Sequence, residues 1–453
     1  MHAITELANF VTDHPEAGLP DDTRRTISLL VLDLIGATAA GLNSPLALAA
    51  RESVVEAYGH GAISVWLTDR TSSVVGAAMA NSAAASALDI DDGHRGAAGH
   101  AGAGVIPAAL AVAQAIGASR SETFNAIALG YEIALRVATC RPAETVDTYA
   151  SGRWVAFGAA AATARLLKLS KQQTSHALAI GGSESPIVFT GAVPKFEGTT
   201  IKEGIPPAVV AGITAAYRAR AGATGPVDML DDNKRFNREL LAGGLGSTWE
   251  AQKCYLKPYA CCRYLHAAID AILTMRQEGA DFKELKIYTF PQATRLANER
   301  APKTLEGAQY SFYFSCALAA LYGREAIQIV QQECLTDPRV LELAGRLELL
   351  PSAEFASAFP AGTPARVVID QGNGSQEMLV LHPLGDVANP MSPEQLVEKF
   401  KRITSTSLNA AQQAGILSGV ESLEREGFER LFDVLSFLPQ RVVAENETVD
   451  CNA

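Results

Sequence analysis

Along the first 250 residues the apolar positions form long runs rich in small side chains, with little strict alternation. The runs 29–42 (LLVLDLIGATAAGL), 74–90, 106–116, 123–139 and 155–169 each have helix length. Alanine is abundant in them, and glycine and proline fall mainly between them. Helices that are apolar on most sides are buried helices, and small side chains let them pack closely. Pro107 is tolerated if it lies in a first turn. The pattern changes near residue 285. Residues 285–290 (LKIYTF) alternate and predict a strand. Residues 365–370 (ARVVID) and 377–382 (EMLVLH) predict two more, and the QGNGSQ between them is a hairpin signal. A helical pattern returns over 310–333. After Pro390, Ser392 and Gln395 have capping-box spacing, with Pro393 at the first helical position. Helices then continue to about residue 438. The expected fold is mainly α with a smaller α+β domain. Its parts are a large helical domain over 1–255, an α+β domain over 256–390, and C-terminal helices over 391–453 that rejoin the first.

Composition narrows the function classes. The 453 residues are 48% hydrophobic and 19% charged, which suits a globular chain with a large core. The formal net charge is −11, a poor match for bulk nucleic-acid or anionic-membrane binding. No apolar run reaches the roughly 18 residues of a membrane span. The N-terminus has no basic region followed by an apolar stretch, so a cytoplasmic location is expected. The seven cysteines are an odd number and include no CxxC pair. That argues for reduced thiols and against zinc or iron–sulfur ligation.

Three segments put polar residues where helices are expected to begin. The first is LDIDDGHRGAAGHAGAG, where Asp89, Asp91 and Asp92 are expected to end one helix and His94 and His100 to follow in a glycine-rich loop. Carboxylates beside imidazoles can do acid–base work, and exposed N–H groups at a helix start favour anions. A solvated flexible loop is the plainer alternative. The second is TTIKEGIPPAVVAG. Lys202 before a helix start is unfavourable unless an anion lies between them, or unless it is simply a surface lysine. The third is YLKPYACCRYLHAAID. Lys257 precedes a proline, and Cys262 and His266 are four residues apart and share a face if the segment is helical. They read as ligand-lining or packing residues, or as a nucleophile and its base. Taken together, these groups suit one site for a small di- or tricarboxylate.

The same segments resemble the MmgE/PrpD family, whose members include 2-methylcitrate dehydratase, cis-aconitate decarboxylase and iminodisuccinate epimerase. The matching pieces are ALDIDDGH with the later His100, IKEGIPPAVVAGITAAYRARAGATGP, KPYACCRYLHAAIDA, AQYSFYFSCALA and HPLGDVANPMSPEQLVEKF, in family order over almost the whole chain. The resemblance implies a discontinuous helical domain, a smaller α+β domain, a homodimer, and no metal or organic cofactor. It also implies chemistry on a proton α to a carboxylate. By the same resemblance Asp89, His100 and Lys202 are expected to be catalytic: Asp89 and His100 move the proton, and Lys202 holds a substrate carboxylate with Lys257 and assists proton transfer. Lys257, Cys262, His266, Asp92 and Tyr149 are expected to line or bind the substrate.

Three positions depart from the family. Tyr149 stands near a position where decarboxylase and dehydratase members carry a histidine. Phe314 stands where they carry a tyrosine, leaving Tyr310 or Tyr313 as possible substitutes. Gly93 stands where some members place threonine or another residue. The expected function is a cofactor-independent lyase, of dehydratase or decarboxylase type, acting on a small polycarboxylate. An epimerase or other isomerase of a related acid is the first alternative. A non-catalytic ligand-binding relative is the second.

Overall fold

The computed structural model describes residues 1–142, 146, 148, 150–186 and 201–436. Tyr149 lies outside the described residues. The N-terminal half carries α1 (Ala3–Asp13), α2 (Asp21–Gly41), α3 (Pro45–Tyr58), α4 (Val74–Ser86), α5 (Gly102–Ile116), α6 (Arg120–Thr139), α7 (Gly152–Leu166), α8 (Lys171–Ser183), α9 (Ile205–Arg220) and the short α10 (Arg238–Ala242). Two short ribbons accompany them: β1 (Ile63–Ser64) with β2 (Thr71–Ser72), and β3 (Gly93–His94) with β4 (Cys254–Tyr255). Next come α11 (His266–Met275), β5 (Glu284–Thr289), α12 (Leu305–Gln309), α13 (Phe312–Gln328, broken at Gly323), α14 (Pro338–Arg346), β6 (Glu348–Pro351), β7 (Ala365–Asp370) and β8 (Ser375–Val380). The described chain ends in α15 (Pro393–Ile403), α16 (Ala410–Glu426) and α17 (Glu429–Leu435).

The helix boundaries follow local chemistry. Helix α2 begins eight residues before the apolar run, because Asp21 and Asp22 in its first turn complement the helix dipole. Helix α4 stops at Ser86, short of the expected residue 90. Asp89 there takes a left-handed backbone, φ 54, which no helix accommodates. Ser392 caps α15 in the reciprocal box with Gln395, as the spacing predicted.

The sheet has the order β6-β5-β7-β8. Strand β5 is parallel to β6, and the other neighbours are antiparallel. Leu285 faces Ile369 and Ile287 faces Val367, so these buried pairs line one face. Helix α11 packs on β7 and β8, and α13 packs on α11. Strand β6 has no alternating pattern in the sequence. Its four residues are half-buried or exposed, so the missing signal has a physical cause.

Two main cores result. The first is formed by α1–α9 together with Leu396, Phe400, Ile416, Leu423 and Leu431 of the last three helices. Helices α15 and α16 lie against α2. The second core fills the space between the sheet, α11, α13 and α14. It also takes in Leu88 and Ile90 from the loop after α4. The two neighbours of Asp89 are therefore anchored in the second core, while α4 itself belongs to the first.

Candidate active site

The ribbon β3–β4 joins two of the three polar segments, with Gly93 opposite Tyr255 and His94 opposite Cys254. A Cβ at Gly93 would lie 2.4 Å from the Tyr255 hydroxyl. The Tyr255 ring thus occupies the space that a side chain at position 93 would need. The remaining segment, the one that carries Lys202, is brought in at the start of α7. The Gly152 N–H donates to the Glu203 carbonyl at 3.0 Å, and a Cβ on Gly152 would meet the Gly204 oxygen at 2.5 Å.

At the junction lies a buried charge cluster centred on Asp89. Its Oδ1 accepts from Lys202 Nζ at 2.7 Å and lies 3.1 Å from His100 Nε2 and 3.3 Å from Lys257 Nζ. Asp89 Oδ2 is buried without a hydrogen-bond partner. The other side of the imidazole meets Asp91 Oδ2 at 3.2 Å and the Asp92 carbonyl at 3.0 Å. Lys202 Nζ also donates to the Tyr310 hydroxyl at 2.8 Å, and that hydroxyl donates to Glu203 Oε1 at 2.8 Å. Glu203 Oε2 accepts from the Ser151 hydroxyl at 2.8 Å, and Ser151 Oγ accepts the His100 backbone N–H at 2.9 Å. One hydrogen-bonded chain therefore links Lys202, Tyr310, Glu203, Ser151 and the His100 backbone.

A cavity of about 200 Å³ opens against this cluster. Asp89, His100, Glu203, Tyr310 and Cys262 contribute to its wall, as do Arg95, Arg263 and Arg295. Arg95 Nε and Arg263 Nη2 reach the same Asp386 oxygen, at 3.1 and 3.3 Å, and both guanidinium groups lie over the Tyr255 ring.

Burial alone would push the Asp89 carboxyl up. Lys202, Lys257 and His100 outweigh burial and hold it well below the usual carboxylate range. For His100, burial favours the neutral ring, but Asp91 and Asp89 overcome both burial and Lys257 and raise it to about 10. Burial pushes the Tyr310 hydroxyl upward, and Glu203 and Asp89 add to that. The resting wall thus presents an imidazolium and a neutral phenol as proton donors, with a carboxylate as the acceptor.

The structure brings Asp89, His100, Lys202 and Lys257 together, as one site required. It places the others differently. Cys262 reaches the cavity, but burial and then Asp89 push its thiol up to about 12, so it is a protonated wall group and no nucleophile. His266 is off the wall. Its Nδ1 accepts from Arg263 at 3.1 Å and its Nε2–H donates to the Cys261 carbonyl at 3.1 Å. The shared face with Cys262 fails because Cys262 is extended, φ −52 and ψ 135, and α11 begins only at His266. Asp92 is also off the wall, with Oδ1 accepting the Gly102 N–H at 3.1 Å. Burial, Asp91 and Asp33 push its carboxyl up to about 7. The two lysines are buried behind Asp89 and do not contribute to the wall. Phe314 is fully buried in the second core, and Tyr313 lies under the Arg300 guanidinium at 3.7 Å. Of the two candidate substitutes, the hydroxyl at the cavity belongs to Tyr310.

Glu203, Arg95, Arg263 and Arg295 were not singled out from the sequence. Glu203 follows Lys202 directly, and a Lys-Glu pair before a helix has the look of solvated surface. The arginines carry no motif, and only the fold gathers them. Asp89, His100 and Glu203 offer ligand atoms within 4.8 Å of one another. The two ammonium groups and the imidazolium around Asp89 would repel a metal ion, so this donor set does not fit one.

Residues 5–245 match the MmgE/PrpD N-terminal domain, and residues 259–425 match the MmgE/PrpD C-terminal domain. The chain is 23% identical to a cis-aconitate decarboxylase-like protein, oryM, of Aspergillus oryzae, over 93% of this chain and 95% of that protein. It is 24% identical to a cis-aconitate decarboxylase of Aspergillus terreus, with 93% of each chain covered. A second Aspergillus terreus sequence of that name is 23% identical over 96% of this chain and 94% of its own length. With both domain matches in order, and with the helical domain and the mixed-sheet domain in place, the chain belongs to the MmgE/PrpD family.

Proposed function

We propose that the chain is a lyase of small polycarboxylates that handles a proton α to a carboxylate. The observation that carries this reading is the Asp89 carboxylate at the cavity wall, held by Lys202, Lys257 and His100 at 2.7, 3.3 and 3.1 Å. Such a cluster keeps charges in a water-poor site, where they act strongly on a developing carbanion. The His100 imidazolium and the Tyr310 hydroxyl are positioned to protonate carbon after loss of CO2, or to protonate a departing hydroxyl. Asp89, flanked by these cations, is a weakened base. A substrate carboxylate entering beside it would raise its basicity through like-charge repulsion. The relatives named as cis-aconitate decarboxylases support the lyase class for this chain.

A second reading is favoured by one feature. The wall carries two acid–base units, His100 with Asp89 and Tyr310 with Glu203. Removal of a proton by one and its return by the other is what an epimerase needs.

Proton NMR in D2O with citrate, 2-methylcitrate and cis-aconitate tests both. New vinylic signals with the wild type, absent with Lys202→Ala, are the expected result. Deuterium entering an α position without elimination would select the isomerase reading. Turnover by Lys202→Ala at the wild-type rate would overturn the assigned cluster.

A further inference from the structure

The carboxylate-binding role expected of Lys202 and Lys257 is not open to them in this arrangement. Both ammonium groups are engaged with Asp89, and neither is part of the cavity wall. The wall does carry guanidinium groups. Arg95 and Arg263 share one carboxylate, Asp386, so two positive charges face one negative charge. Arg295 ends the 3-10 turn Pro291–Arg295 that follows β5. Among the described residues its guanidinium has no hydrogen bond and no ion pair. Two further wall residues each hold a buried polar atom without a hydrogen-bond partner, Arg263 at Nε and Gln292 at Oε1. Arg263, Gln292 and Arg295 therefore bring one unmatched donor, one unmatched acceptor and one unmatched cation to the same cavity.

We propose that Arg295, with Arg263 and Gln292, forms the subsite for a carboxylate remote from the reacting carbon. The substrate is then an acid with at least two carboxylates. The inference rests on the proposed reaction class and adds to it which residues read the substrate. The charge count agrees. Arg95, Arg263 and Asp386 sum to one positive charge, and Arg295 supplies a second. A guanidinium binds a carboxylate through two parallel N–H donors, which fixes its orientation as well as its charge. Gln292 Oε1 suits a hydroxyl or a protonated carboxyl on the same ligand. On a chain of net charge −11, such a local cationic patch is what draws an anionic substrate to the cavity.

The test is calorimetric binding to the intact chain, with tricarballylate as a tricarboxylate that lacks a leaving group and butyrate as a monocarboxylate. Wild type is expected to bind tricarballylate at least tenfold more tightly than butyrate. Arg295→Gln is expected to weaken tricarballylate about tenfold and butyrate less than twofold, a change on the scale of one charged hydrogen bond. Arg295→Lys should recover part of the loss. Arg295 is exposed at the cavity mouth, so these variants leave the cores intact. Equal binding of tricarballylate by wild type and Arg295→Gln, or no tricarballylate binding by wild type, overturns the subsite. Because binding is read without turnover, failure of the proposed reaction leaves this result standing, and the reverse also holds.

Discussion

Asp89 and Glu203 both adopt left-handed backbone, with φ 54 and 49, and both contribute carboxylates to the cavity wall. A non-glycine residue held there costs on the order of 1–2 kcal/mol, and such residues cluster where surrounding packing overrides local preference. For Asp89 the packing is visible: Leu88 and Ile90 are buried in the second core on either side. Tyr310 shows the same dependence on context. Its hydroxyl is set by Lys202 and Glu203, four residues before the Phe314 ring that offers no hydroxyl. Tyr310→Phe is expected to lower kcat about 100-fold with KM shifting less than threefold, the range for one lost proton donor. Tyr313→Phe, beneath Arg300, should leave both unchanged. Steady-state kinetics on the two variants decides it, and equal activities would remove Tyr310 from the mechanism.

Helix α15 shows how an element far along the chain supports the site. Its Lys399 is buried, with Nζ donating to Asp33 Oδ1 of α2 at 2.5 Å and to the Ile90 carbonyl at 2.9 Å. Ile90 lies between Asp89 and Asp91. The last helices therefore brace the loop that carries the charge cluster. Lys399→Met leaves Asp33 buried without its counter-charge and is expected to cost about 3–5 kcal/mol of unfolding free energy. Adding Asp33→Asn should return more than half of that. Urea unfolding of the single and double variants measures it, and equal losses in both would show that the pair is not coupled. The capping box and Pro393 of this helix were legible in the sequence because a helix start depends on neighbours within one turn. The partner of Lys399 was not legible, because Asp33 lies 366 residues away and nothing local marks the pair.

At the scale of the whole chain, the site lies on the seam between two cores. Arg95 comes from the loop after α4, and Arg263 and Asp386 come from the later domain. His100 occupies the same seam, with carboxylates on two sides and Lys257 nearby. Its charge is favoured only in the folded chain. An unfolded histidine titrates at about 6.5, and here the ring is raised to about 10. The stabilisation is therefore complete below about pH 6.5 and is lost as pH climbs through about 10. Chemical unfolding between these limits is expected to show falling stability in the wild type and a shallower fall in His100→Asn. Parallel pH profiles would show that the imidazolium is not held by the fold.

The sequence by itself displayed the apolar runs of α2, α4, α5, α6 and α7, three strands of the α+β region, the family and four members of the cluster: Asp89, His100, Lys202 and Lys257. Periodicity, capping and motif order are properties of neighbouring residues, so one chain displays them. Only the tertiary structure decided that the lysines stand behind Asp89, that His266 and Asp92 turn away from the cavity, and that Glu203, Tyr310 and three arginines form its wall. Those outcomes depend on which distant groups meet, and on how burial weighs one charge against another. Neither is recorded in local sequence spacing.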